Sequence, residues 1–125
     1  IKAAKKEIKL QVFGQNYPTK DGTCIRDYIH VLDLAMAHLK SFKFMSNSDQ
    51  NYNVFNIGLG KGISVLELIN IFKEINKINV EYEITERRKG DVVISYADNS
   101  KALNLLNWKP MYNYSDMCRD AWNSS

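Results

Sequence analysis

The chain has 125 residues, 45% of them hydrophobic and 25% charged, with a formal net charge of +3. That length suits one domain with a modest core, and the composition excludes a charge-dominated or aromatic-poor disordered chain. The basic excess is mild and scattered, clustering only at Lys5-Lys6 and Arg87-Arg88-Lys89, and no basic stripe interleaved with exposed aromatics marks nucleic acid as a partner.

Ile1 to Glu7 reads as the end of a helix, with Ala3-Ala4 giving way to lysines. It runs straight into Ile8-Lys9-Leu10-Gln11-Val12-Phe13, which alternates as a half-buried strand does. The chain therefore reads as one entered in mid-fold; an independent small protein that begins this way is the alternative. A turn-rich loop follows, in which Pro18 fixes φ and Gly14 and Gly22 supply conformations that other residues resist. Such a loop costs less entropy to order around a ligand, and the Arg26 guanidinium at its exit suits bidentate grip of a phosphate or carboxylate. From spacing alone, a surface loop whose Arg26 and Asp27 pair with other side chains is the better reading.

Asp27 to Val31 reads as a short strand. Asp33 is placed to cap a helix from Leu34 to about Phe44, with Leu34, Ala37, His38 and Phe42 near one face. His38 is read as a partly buried helix residue without a catalytic role. Ser46 to Asn51 should be a polar loop, and Asn53 to Ile57 a buried strand. Ser64-Val65-Leu66-Glu67 is a capping box opening a helix to about Asn76, with Val65, Leu68, Ile69, Phe72 and Ile75 on helical spacing. Val80 to Thr85 alternates as a strand. Two short helices, around Asn99 to Leu106 and from Ser115 to about Trp122, are separated by Pro110. Strands alternating with helices predict an α/β arrangement.

Gly58-Leu59-Gly60-Lys61-Gly62 sits where a dinucleotide loop would, between a strand and a helix, yet Ile63 stands at the last required glycine or alanine. It is read as a glycine-rich turn, not an NAD site. Cys24 and Cys118 have no metal-ligand spacing. A single disulfide is compatible with the count, and two free thiols in a reducing cytosol is the simpler reading. No apolar run reaches membrane-spanning length, so no membrane partner is expected and the expected location is cytoplasmic.

The stretch GQNYPTKDGTCIRDYIHVLDLAMAH, within a near-continuous pattern from Val12 to His38, resembles the UDP-glucose 4-epimerase family of the extended short-chain dehydrogenase/reductase superfamily. Tyr52-Asn53-Val54-Phe55-Asn56-Ile57-Gly58, Arg87-Arg88-Lys89-Gly90-Asp91, Ala97-Asp98-Asn99-Ser100-Lys101-Ala102 and Leu106-Asn107-Trp108-Lys109-Pro110 extend it in order along the chain. The resemblance implies the C-terminal UDP-sugar-binding portion of an epimerase across residues 1–125, with the last Rossmann elements and a small substrate-binding domain. The N-terminal NAD-binding portion would be absent. It implies an isomerase of galactose metabolism that interconverts UDP-glucose and UDP-galactose using NAD, and a homodimer for the intact enzyme.

Residue by residue, the resemblance assigns Arg26 and Arg88 to the UDP diphosphate and Asp91, across Gly90, to the ribose hydroxyls. It assigns Gln11, Val12 and Phe13 to the uracil pocket, through backbone groups and the Phe13 ring. Without the family pattern, Arg88 reads as a solvated charge and Phe13 as core packing. Lys89 replaces the family's usual glutamate and adds positive charge beside the diphosphate. Ser95 matches the position beside the sugar's 2-substituent, where a small residue leaves room for an N-acetyl group, so UDP-N-acetylhexosamines are expected substrates as well. The superfamily's catalytic tyrosine with lysine four residues on has no counterpart: Tyr17 has Lys20 three residues on, and Tyr96 has Lys101 five residues on. No catalytic, cofactor or metal residue is assigned, and the chain alone is expected to be inactive. A nucleotide-sugar dehydratase or decarboxylase of the same superfamily, or a non-catalytic UDP-sugar-binding module, is the rival reading.

Overall fold

The structure, a computed structural model, describes residues 1–48 and 52–125. In chain order the elements are β1 (Leu10–Phe13), β2 (Ile25–Arg26), α1 (Val31–Ser46), β3 (Ile63–Ser64), α2 (Val65–Asn76), β4 (Tyr82–Thr85), β5 (Ile94–Ser95), α3 (Ser100–Leu106) and α4 (Tyr114–Asn123). Before β1 the chain makes one helical turn. Lys6, at φ 61, donates its N–H to the Ala3 carbonyl at 3.1 Å, and the Glu7 N–H reaches Lys2 at 3.0 Å. Those two bonds form a Schellman stop, so the expected helix end exists as a single turn.

The described strands form two small sheets. β1 pairs with β4 in parallel, from Leu10 opposite Tyr82 to Phe13 opposite Thr85. β2 lies between β3, antiparallel to it, and β5, parallel to it, with Arg26 opposite Ser95. The chain thus passes twice along the same course, from β1 through a loop (14–24) to β2, and from β4 through a shorter arm (86–93) to β5. Loop and arm run side by side between two parallel pairings.

Packing follows the apolar pattern. Ala3, Ala4, Val12, Ile69 and Val80 form one buried cluster, with Phe72 and Trp122 meeting edge to face beside it at 6.2 Å. Ala37, Ala102, Leu106 and Trp108 form the other, with Phe44, Phe55 and Ile57 against it. The expected capping box opens α2: the Ser64 hydroxyl accepts the Glu67 N–H, and the Glu67 carboxylate accepts the Ser64 N–H, both at 3.1 Å. Asn113 and Asp116 make a second box at the start of α4.

Several expectations are corrected. The strand expected at Asp27–Val31 does not form, because β2 occupies Ile25–Arg26 and the chain then turns into α1. The cap of α1 is His30, whose Nδ1 accepts the Leu32 N–H at 3.1 Å, so the helix starts at Val31 instead of Leu34. Asp33 lies in the first turn, 2% exposed, and accepts the N–H groups of Met111 and Tyr112 at 2.9 and 3.1 Å. His38 is exposed and bonds the Leu34 carbonyl. On the expected apolar face only Ala37 is buried, while Leu34 and Phe42 are exposed. Residues 53–57 are not a strand; Phe55 and Ile57 pack on the second cluster without a ladder among the described residues. Of the loop expected over Ser46–Asn51, Ser46 belongs to α1, Asn47 caps it, and residues 49–51 lie outside the described residues.

Candidate functional site

The paired loop and arm bring four of the expected site residues into contact in two pairs. Phe13 ends β1 and Arg26 ends β2, while Arg88 and Asp91 stand on the arm between β4 and β5. The Arg26 guanidinium lies 3.4 Å from the Asp91 carboxylate, both side chains about a quarter exposed (24% and 28%). Its other terminal nitrogen donates to the Ile25 carbonyl at 2.8 Å. The Arg88 guanidinium stacks over the Phe13 ring, 3.8 Å from its centroid. Ser95 is exposed and directly opposite Arg26 in the β2–β5 pairing. The two pairs are joined through the arm, where the Asp91 N–H donates to the Arg88 carbonyl at 3.3 Å. Arg26 is held by a carboxylate and Arg88 by an aromatic face.

The remaining expected residues divide. Val12 is 1% exposed in the first core cluster, and its carbonyl accepts the Thr85 hydroxyl at 3.4 Å. The ladder bonds run from Leu10 N–H to Glu81 and from Gly14 N–H to Thr85. Alternation along a parallel strand therefore turns the backbone groups of Gln11 and Phe13 to the opposite edge, which no described strand covers. Lys89 and Gly90 lie exposed on the arm.

Asp27 organises the neighbourhood. Its carboxylate accepts the N–H groups of Leu59, Gly60 and Ala97 at 2.9, 3.1 and 3.2 Å, and its own N–H donates to the Ser95 carbonyl at 3.1 Å. Gly58 is required here, since a Cβ would drive into that carboxylate. The amides of the glycine-rich turn thus face the chain's own anion, and the turn does not fit a dinucleotide pyrophosphate. Beside it, the Tyr114 hydroxyl donates to the Lys61 carbonyl at 2.9 Å. Burial, together with the charges of Asp27, Tyr28 and Glu67, pushes Tyr114 up to about 12. Tyr28 is also raised, by burial and then by Cys24, with Arg26 opposing. Among the described residues no His, Cys, Asp and Glu cluster suits a metal ion. No described helix is long and apolar enough to cross a membrane.

Asp27 and Arg87 escape a sequence reading. The spacing marks Asp27 only as a neighbour of Arg26, and Arg87 only as one charge of a basic run. In the fold, Arg87 turns to the loop while Arg88 turns to Phe13. The one sequence signal was Gly14 ahead of Asn16-Tyr17, a small residue beside the side chains that Arg87 meets.

The sequence model of the family described as GDP-mannose 4,6 dehydratase matches residues 1–121. The UDP-glucose 4-epimerase of Dictyostelium discoideum is 47% identical over 113 residues, covering 90% of this chain and 33% of the relative. The UDP-glucose 4-epimerase of Bifidobacterium longum, solved in complex with NAD+ and UDP, superposes with a TM-score of 0.90 at 41% identity over 98% of this chain and 36% of that one. The UDP-Glc/GlcNAc 4-epimerase of Campylobacter jejuni superposes with a TM-score of 0.84 at 40% identity, covering 98% of this chain and 37% of that one. The chain spans about a third of the length of the relatives it matches.

Proposed function

Because the chain belongs to the family described as GDP-mannose 4,6 dehydratase, within the extended short-chain dehydrogenase/reductases, we propose that it forms the UDP-anchoring part of a nucleotide-sugar 4-epimerase. Arg26 and Arg88 grip the diphosphate, and each charge-assisted bond contributes about 1.5–3 kcal/mol. Asp91, an acceptor-only carboxylate, takes the ribose hydroxyls. Phe13 covers the uracil face, with the free backbone edge of Gln11 and Phe13 against the base. The observation that carries this reading is the convergence of Arg26 with Asp91 and of Arg88 with Phe13, pairs far apart in sequence.

Inversion at sugar C4 requires the sugar to present both faces to one hydride carrier, so the UDP end must be held while the sugar turns. NAD supplies that hydride chemistry in the intact enzyme, from residues outside this chain, and the chain alone turns nothing over. Ser95, exposed beside Arg26, leaves space for an N-acetyl group at sugar C2. A dehydratase anchoring its nucleotide in the same way is the second reading, favoured by the family's description. The 40–47% identities to 4-epimerases favour inversion.

Calorimetric titration of the chain with UDP tests the anchor. Binding is expected, weakened about tenfold or more by Arg26→Ala and by Arg88→Ala. UDP-glucose and UDP-GlcNAc should bind alike, with Ser95→Tyr weakening UDP-GlcNAc selectively. A folded sample that releases no heat at millimolar UDP overturns the anchor, and equal loss for both sugars in Ser95→Tyr overturns the assignment of Ser95.

A further inference from the structure

The two consecutive arginines after β4 do different work. Arg88 lies over Phe13 inside the proposed site, whereas Arg87 leaves it and seizes the loop. Its guanidinium stacks 3.9 Å from the Tyr17 ring centroid. Its Nε donates to the Asn16 side-chain carbonyl at 2.5 Å, and a terminal nitrogen donates to the Asn16 backbone carbonyl. Gly14, at φ 84, makes room: a Cβ there would come within 2.6 Å of the Arg87 Cγ and 2.8 Å of the Tyr17 ring. Tyr17 is itself 4% exposed, so the guanidinium rests on a fixed platform.

We infer that Arg87 is a positioning residue, a latch that locks the arm (86–93) to the loop (14–24) and thereby sets where Arg88 and Asp91 stand. Among the described residues no backbone hydrogen bond joins arm and loop between the Gly14–Thr85 and Ile25–Val93 bonds. Side chains must bridge that span. Three described ones do so: Arg87 on Asn16 and Tyr17 within the loop and, at the strand ends that flank it, Arg88 on Phe13 and Asp91 on Arg26. On the proposed function, on which this inference rests, a bound nucleotide replaces the partners of Arg88, Arg26 and Asp91. The Arg87 contacts involve no group offered to the ligand, so they alone persist through binding. Arg87 pre-orders the arm in both states.

The test combines backbone 15N relaxation and UDP calorimetry on this chain. Arg87→Ala should lower the heteronuclear NOE of Arg88, Lys89, Gly90 and Asp91 while leaving Tyr82–Thr85 unchanged. It should weaken UDP about tenfold, the scale of coupling between contacting residues. In an Arg88→Ala background the same substitution should change UDP affinity less, because one of the two groups that Arg87 positions is already gone. Arg87→Lys, which keeps a cation over Tyr17 but loses the fork onto Asn16, should restore part of both signals. Asn16→Ala removes the side-chain acceptor of that fork, leaving the backbone one, and gives a smaller relaxation readout of the same sign if Arg87→Ala fails to fold. Unchanged arm NOEs in a folded variant, or equal affinity losses in both backgrounds, overturn the latch. A wild-type chain that does not bind UDP overturns the nucleotide reading, and the relaxation result then decides the latch by itself.

Discussion

Asp21 shows how one carboxylate in the loop couples local geometry to stability. It accepts the Thr23 N–H at 2.9 Å and the Thr23 hydroxyl at 2.7 Å, and it also bonds the Ser64 hydroxyl that caps α2. Burial pushes its carboxyl up, but the bonds from Ser64, from the Thr23 hydroxyl and from the backbone together outweigh burial and hold it below its ordinary 3.8. A carboxylate depressed in the folded state stabilises above its unfolded value, and that contribution disappears as pH falls through the folded one. Acid unfolding followed by circular dichroism from about pH 5 down to about pH 2 should therefore lose steepness in Asp21→Asn. Identical acid limbs for both proteins would exclude the role. None of this was legible in sequence, where Asp21 is one residue of a turn-rich run. Spacing gave Arg26 no more than a pairing with another side chain, which it makes with Asp91; its assignment to a phosphate came from the family pattern.

At the scale of elements, legibility followed how local the physics is. The α2 capping box needs only residues three apart, and Ser64 and Glu67 make it as expected. The start of α1 was misread because Asp33 is a strong capping type, whereas histidine is not among the preferred caps. The fold assigns Asp33 elsewhere: its carboxylate holds the amides of Met111 and Tyr112, and its carbonyl accepts the Trp108 indole N–H at 3.0 Å. His30 is free to cap because it also stacks on Tyr112, with ring centroids 4.2 Å apart. These contacts join residues far apart in sequence, so no local pattern announces them. The same holds for the site, where Arg26, Arg88 and Asp91 were named by family pattern and their pairing with one another and with Phe13 emerged only in three dimensions. Asp33→Ala removes a buried carboxylate that accepts two backbone amides and should cost about 1.5–3 kcal/mol. Urea unfolding monitored by tryptophan fluorescence, with Trp108 1% exposed, reads that loss. A change within about 0.5 kcal/mol, the range of ordinary surface substitutions, would contradict it.

For the whole molecule, the same arrangement that orders the site leaves much apolar surface open. A groove of about 1060 Å³ runs between the first turn, β1, the start of α1, α2 and α4, lined by Ala3, Leu10, Leu32, Ile69, Phe72 and Met117 among others. Val31 and Leu32 on its rim are 71% and 52% exposed. Apolar side chains exposed side by side on the rim of a groove are where a dye or a second chain attaches when nothing covers them. Its walls are nevertheless anchored by buried residues: Ala3, Ala4 and Ile69 belong to the first core cluster. The groove therefore belongs to the folded state and is not a sign of a loosened core, and the two cases separate experimentally. The folded chain should enhance the fluorescence of an apolar dye such as ANS while unfolding cooperatively in urea, whereas a loosened core would bind dye without a cooperative transition. Val31→Asp puts a carboxylate at the first turn of α1, where the helix N-terminus favours negative charge. It should reduce dye binding and self-association, with stability held within about 0.5 kcal/mol. Dye binding that is absent from the wild-type chain, or unchanged in Val31→Asp, would show that the groove is closed in solution.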